Sequence, residues 1–215
     1  MTWHSIERAR LAQALTDAGP HAPTLCEGWD AAHVAAHVVL REHSPLVGLG
    51  LAVPALSAAG DRAIDELAAT GSTDDGFRAL VARVAAGPAR WHPMAWAGEL
   101  VNLVEFWVHT EDVRRGAGDT TPADLPTDEE AALWQSLVRA ARLSYHGVPV
   151  GVVLVRPDGV RHVVRRPSGD HGTVAVRGAV GELLLHAYGR GAAAHVVVEG
   201  HVADVDALRT VRPDA

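Results

Sequence analysis

The chain has 215 residues, 48% of them hydrophobic and 21% charged, with a formal net charge of −7 at pH 7. That length and balance are those of a soluble globular protein with one large core or two modest ones. The net negative charge, with no long arginine cluster, argues against a nucleic-acid surface.

The first 147 residues read as helices. Ser5 to Asp17 places Ile6, Leu11 and Leu15 near one face and ends before Gly19-Pro20. Asp30 is placed to cap a helix through His43, with Trp29 and Val34 as a hydrophobic staple. A third helix is expected after Thr73, where Phe77, Leu80, Val81 and Val84 form an apolar stripe. A fourth covers Gly98 to Arg115, stopped by Gly116 at the C′ position. After a Pro/Thr/Asp loop to Pro126, Thr127 with Glu130 reads as a capping box opening a fifth helix to Tyr145.

From Val148 the period changes from helical to alternating. The stretch VGVVLVRPDGVRHVVRR is two β-rich runs around Pro157-Asp158-Gly159, a hairpin signal. TVAVRG follows as a short strand, AVGELLLHAYG as a helix closed by Gly189, HVVVEG as a strand and VADVDALRT as a last helix. The expected organisation is α+β: a helical bundle over residues 1–147, then a small α+β domain over 148–215.

Several chemistries are excluded or disfavoured. All 19 basic residues are Arg, so neither a Schiff-base lysine nor a P-loop lysine is available. One cysteine, Cys26, leaves no internal disulfide framework and fits a reducing cytoplasm. The N-terminal MTWHSIERAR lacks the apolar core of a secretory leader. The longest uncharged run, Ser44 to Gly60, contains Pro54 and three glycines and falls short of a membrane span.

The segment EFWVHTEDVRR, residues 105–115, carries Glu105 and His109 one helical turn apart among Leu100, Leu103, Val104, Phe106, Trp107 and Val108. A carboxylate in such apolar surroundings needs a partner, so the pair is either an ion pair or two ligands of a metal. Spacing alone is weak evidence: chance gives ~1.6 acid-x-x-x-His pairs in a chain of this composition. Asp17/His21 spans Gly19-Pro20 and Asp158/His162 lies in the hairpin, while Glu182/His186 on a short helix reads as a partly solvated pair. A third ligand is offered by WDAAHVAAHVVL, where His33 and His37 lie one turn apart; the spacing does not choose between them.

LCEGWDAAHVAAHVVLRE followed by NLVEFWVHTEDVRR resembles the N-terminal domain of the mycothiol-dependent maleylpyruvate isomerase family, within the DinB-like four-helix metal-binding superfamily. VAVRGAVGELLLHAYGRGAAAHVVVEG resembles the smaller second domain of that isomerase, and the resemblance is weakest from 44 to 97. It implies His37, Glu105 and His109 as ligands of one divalent metal, with His33 the alternative. Zinc suits such a donor set first; nickel, iron or manganese are allowed. Asp112, one turn on, is placed to orient an imidazole, or else to balance Arg114 and Arg115.

The resemblance further implies a low-molecular-weight thiol, mycothiol, as cofactor and a small electrophile as substrate. The bound thiolate would add to a conjugated cis double bond, and rotation and elimination would return the trans isomer. Cys26 is expected to be a small buried apolar residue, not the nucleophile. Arg190, after Gly189, stands where the resembled domain carries an Arg implicated in activity, so it is expected to bind a carboxylate of substrate or cofactor; otherwise it complements a helix end. The expected function is therefore a metal- and mycothiol-dependent isomerase or S-transferase. The alternatives are a metal-dependent hydrolase using bound water and a non-catalytic metal- or thiol-binding module.

Overall fold

The computed structural model describes residues 2–43, 54–88 and 99–213, with only the backbone for 54–57 and 99–101. The chain divides into two compact units, Met1–Thr120 and Thr121–Ala215. The sequence places the division near 147 instead. Helical periodicity marks the segment from Thr127 as a helix but does not say which core it joins.

The first unit is built from helices α1 (Trp3–Ala18), α2 (Ala31–His43), α3 (Pro54–Thr70), α4 (Asp74–Ala86) and α5 (Glu99–Gly116). Helices α1, α2, α4 and α5 pack together, and α3 lies against α2. Their shared core runs from Leu11 and Leu15 through Val34 and Val38 to Ile64, Leu80, Val84, Phe106 and Val113. Helix α2 is capped as its sequence predicts, with the His33 amide donating to Asp30 Oδ1 at 3.1 Å. Ala31, Ala32, Ala35 and Ala36 are all buried, so neighbouring helices can approach α2 closely. Thr73 caps α4 through the Gly76 amide, and the four residues of its apolar stripe are buried.

One helix goes unread and one expectation at a helix end differs. The helix α3 goes unread because its first half lies in the uncharged run, where no polar face sets a period. Gly116 is the last residue of α5 and not a left-handed stop; the positive φ falls on Gly118. A Cβ on Gly116 would lie 2.3 Å from Thr24 Cα, so this glycine lets the segment before α2 cross the end of α5. The expected start of α5 at Gly98 lies outside the described residues.

A similar difference appears in the second unit, which begins with α6 (Thr127–Ser144). Here Pro126 occupies the N-cap position without a side-chain cap, so the expected Thr127–Glu130 box does not form. Strands β1 (Gly151–Val155), β2 (Arg161–Arg165), β3 (Thr173–Arg177) and β4 (Val197–Glu199) make one sheet in the order β2-β1-β3-β4. β1 and β2 form the antiparallel hairpin, turning at Gly159 with φ 86°; β1 runs parallel to β3, and β3 antiparallel to β4. Helices α7 (Val180–Ala187) and α8 (Val202–Val211) complete the unit. α6 packs on α7 and β2, α8 packs on β3, and every residue of α7 is buried. Among the described residues no helix is long and apolar enough to cross a membrane.

Candidate metal centre

Two helices of the first unit bring the ligand-type side chains together. Helix α5 carries Glu105 and His109 at i and i+4, which places them on one face; α2 supplies His37 from across the bundle. Glu105 Oε1 lies 3.0 Å from His37 Nε2 and 3.4 Å from His109 Nε2. The three ligand atoms all fall within 4.8 Å of one another. The two imidazole rings meet edge to face with centroids 5.1 Å apart, and the Trp29 ring sits 5.3 Å from that of His37. Both histidines are buried, whereas the Glu105 side chain keeps 23% of its exposure, so the cluster opens on the carboxylate side.

The far side of His109 is fixed as well. Its Nδ1 lies 2.9 Å from Asp112 Oδ2, and Asp112 is fully buried. A carboxylate can only accept, so Nδ1 carries the proton and Nε2 faces Glu105 and His37. Cys26 Sγ donates to the same Asp112 oxygen at 3.2 Å, and the Leu25 amide donates to the Asp112 carbonyl at 3.0 Å. The segment before α2 is thus tied to the helix that carries the cluster.

Electrostatics bind the cluster together. Burial by itself would raise the Glu105 pKa, but hydrogen bonds from His109 and His37, with the charges of His109 and Arg41, hold it well below the usual carboxylate range. Burial would likewise depress His109; hydrogen bonds to Asp112, Cys26 and Glu105 and the Glu105 charge instead raise it well above the ordinary imidazole value. A region bounded by two carboxylates and two imidazoles therefore favours a cation. A divalent ion fits that environment and the donor set, two nitrogens and one oxygen.

His33 does not join this group. Its Nδ1 lies 2.6 Å from Asp30 Oδ1 and its Nε2 3.7 Å from Asp65 Oδ1, on the rim of a separate cavity of about 190 Å³. Arg190 belongs to the second unit, where its guanidinium donates to the Tyr188 carbonyl at 2.6 Å. The Arg190 amide closes the C-terminal turn of α7 by donating to the Leu185 carbonyl, and Gly189 takes a φ of 80°.

Near the cluster one residue escapes the sequence reading and another, Cys26, is corrected. Arg41, one turn beyond His37, lies with its Nε 3.4 Å from Glu105 Oε1 and donates to Asn102 Oδ1 at 3.1 Å. The i+4 spacing from His37 was the available signal, masked by the abundance of Arg. Cys26 is only half-buried, and its thiol engages Asp112 instead of packing as an apolar group. Glu182 and His186 are also corrected, since both are buried and each has another partner. Glu182 accepts from the His195 amide at 2.7 Å, and His186 Nδ1 meets the Tyr145 hydroxyl at 2.6 Å.

A helical bundle with ligand-type side chains facing each other from two helices, followed by a small α+β unit, defines the class of protein. The model of the mycothiol maleylpyruvate isomerase N-terminal domain matches residues 5–114, and the chain belongs to that family. A crystal structure of a mycothiol-dependent maleylpyruvate isomerase aligns with a TM-score of 0.61 at 19% identity, over 93% of this chain and 92% of that one. A histidine-to-alanine mutant of such an isomerase aligns with a TM-score of 0.56 at 21% identity, over the same shares of the two chains. At these identities the likeness is one of fold. Comparison with curated proteins finds no match.

Proposed function

We propose that the protein is a metal- and mycothiol-dependent isomerase or S-transferase acting on a small electrophile. The observation that carries this reading is the convergence of His37, Glu105 and His109 within 4.8 Å, with His109 oriented from behind by Asp112. Membership of the isomerase family supports the thiol cofactor, because the one cysteine of the chain is turned toward Asp112.

His37 and His109 supply neutral nitrogens and Glu105 a negative oxygen, leaving positions open for an exogenous ligand. A divalent cation held there would stabilise a thiol as its thiolate at neutral pH. Asp112 keeps the Nδ1 proton on His109 and so keeps Nε2 aimed at the cluster. Arg41 restrains the Glu105 carboxylate, and Trp29 covers one side of His37 against water. In the second unit Arg190 is assigned a carboxylate of substrate or cofactor, which its planar fork can hold bidentately. Hydrolysis, with water in place of the thiol, is the second reading. The partial exposure of Glu105 favours it, since water reaches that side of the cluster.

Metal analysis of the full chain tests the first part. Alanine at His37, Glu105 or His109 strips most of the metal, whereas His33→Ala stays loaded. Metal retained by all three variants, or lost only from His33→Ala, overturns the assignment. Turnover of electrophiles that requires mycothiol separates the isomerase or transferase from the hydrolase. Arg190→Lys lowers that turnover at least about tenfold with metal content and melting temperature unchanged; unchanged kinetics would leave Arg190 a helix-end charge.

A further inference from the structure

The sheet of the second unit has an irregularity that its hydrophobic pattern does not require. β2 is an edge strand, and its pairing with β1 slips between Val152 and Val153. Val153 pairs with Val163 while the next residue on β1, Val152, pairs with Arg165, so Val164 is the extra residue of a bulge. Paired residues share a face of the sheet. The bulge therefore turns Arg165 onto the side of fully buried Val152, while Val163, paired with Val153 on the other side, is 57% exposed. A regular strand would keep Arg165 on the same side as Val163.

Turning a guanidinium toward covered surface carries a desolvation cost, and Arg165 shows it. Its Nε is buried and has no hydrogen-bond partner. Arg165 lines a cavity of about 590 Å³ together with Arg142 from α6, Arg166, Val163 and Val164. Among the described residues no ion pair or hydrogen bond engages the guanidinium of Arg142, Arg165 or Arg166. In a chain of net charge −7, three such cations share one concavity while many other arginines are paired, as Arg8, Arg114, Arg115 and Arg177 are.

From this arrangement we infer that the cavity between β2 and the end of α6 is a binding site for a small organic oxyanion. Carboxylate and phosphoryl groups share the chemistry that guanidinium forks recognise, charge-assisted and bidentate. Val164, buried and lining the cavity, supplies apolar wall for the carbon part of the ligand, and the volume is in the usual range for small-molecule sites. Arg165 Nε is the donor that a bound oxyanion would satisfy. The site lies wholly in the second unit and does not depend on the metal reading.

The test uses succinate and inorganic phosphate as separate probes, added to the full chain at fixed ionic strength. Binding is followed by calorimetry and by the Nε–H resonance of Arg165, which is assigned by its loss in Arg165→Lys. At least one probe binds saturably and shifts that resonance, and the one that does identifies the site as carboxylate- or phosphoryl-binding. Arg165→Gln and the more exposed Arg142→Gln each weaken binding at least about tenfold. Arg177→Gln, which removes an arginine paired with Glu199 on β4, leaves it unchanged. Absence of saturable binding by both probes overturns the proposal, as does affinity unaltered in Arg142→Gln.

Discussion

Each unit buries an imidazole, and the two are driven in opposite directions. His109 in the first unit stands between Asp112 and Glu105, and its pKa is raised well above the ordinary value. His186 in the second unit is just as buried, but among the described residues no carboxylate pairs with it. Burial first, and then the charge of Arg212, lower it to about 4. Its Nδ1 meets Tyr145, its Nε2 has no hydrogen-bond partner among the described residues, and Arg212 stacks over the Tyr145 ring at 4.7 Å. Burial is common to both sites; the sign of the neighbouring charge decides whether the pKa of the imidazole rises or falls. The first unit is built to keep charge inside, and the second, at this position, to keep it out.

The same contrast extends to other buried groups. In the first unit Arg8 grips Glu42 through both carboxylate oxygens, donates to the Val84 carbonyl at 2.9 Å and lies over the Phe106 ring. Arg115 and Arg114 share Glu111 in the same way. In the second unit Glu182 accepts from the His195 amide, and Asp204 from the Gly172 amide at 3.0 Å with His171 Nδ1 3.4 Å from the same oxygen.

The largest expected effect tests whether the ion pairs of the first unit are indispensable one partner at a time. Glu42→Ala leaves Arg8, 12% exposed, without its counter-ion and should cost about 3 kcal/mol in unfolding free energy. The paired replacement Arg8→Met with Glu42→Leu should recover most of it. A Glu42→Ala loss below ~1 kcal/mol in urea titrations would mean that water reaches Arg8 and the contrast is shallow.

A second prediction concerns the neutral imidazole of the other unit. The folded-state pKa of His186 lies below its unfolded value of 6.5, so the unfolded chain binds more protons between the two. Its contribution is fully present above pH 6.5 and is lost as pH falls toward 4, by on the order of 3 kcal/mol. Hydrogen exchange at the Leu184 and Leu185 amides reads local stability, and His186→Leu should remove this part of the pH slope. An identical slope in the variant would show that His186 is not the group being protonated.

The smallest effect bears on the site itself. Asp112→Asn keeps the shape but removes the charge behind His109, and metal affinity should drop about 10–100-fold in a chelator competition. Unchanged affinity would reduce Asp112 to an anchor for Leu25 and Cys26.

Much of this was legible in the sequence because it depends on local period and capping. Asp30, Thr73 and the stripe from Phe77 to Val84 specify their helices without reference to the rest of the chain. The Pro157-Asp158-Gly159 turn specifies the hairpin in the same way. The Glu105–His109 pair was readable because i, i+4 geometry is fixed once the helix forms. Spacing does not choose which imidazole of α2 meets that pair; tertiary structure brings His37, the one the family resemblance implies, to it. His33 and His37 are equivalent in period, and only the rotation of α2 against α5 sends one to Glu105 and the other to Asp30 and Asp65. It also decided that α6 belongs with the sheet, that Cys26 reaches Asp112 from 86 residues away, and that Arg165 turns inward. These outcomes rest on packing between segments distant in the chain, and no local period encodes such contacts.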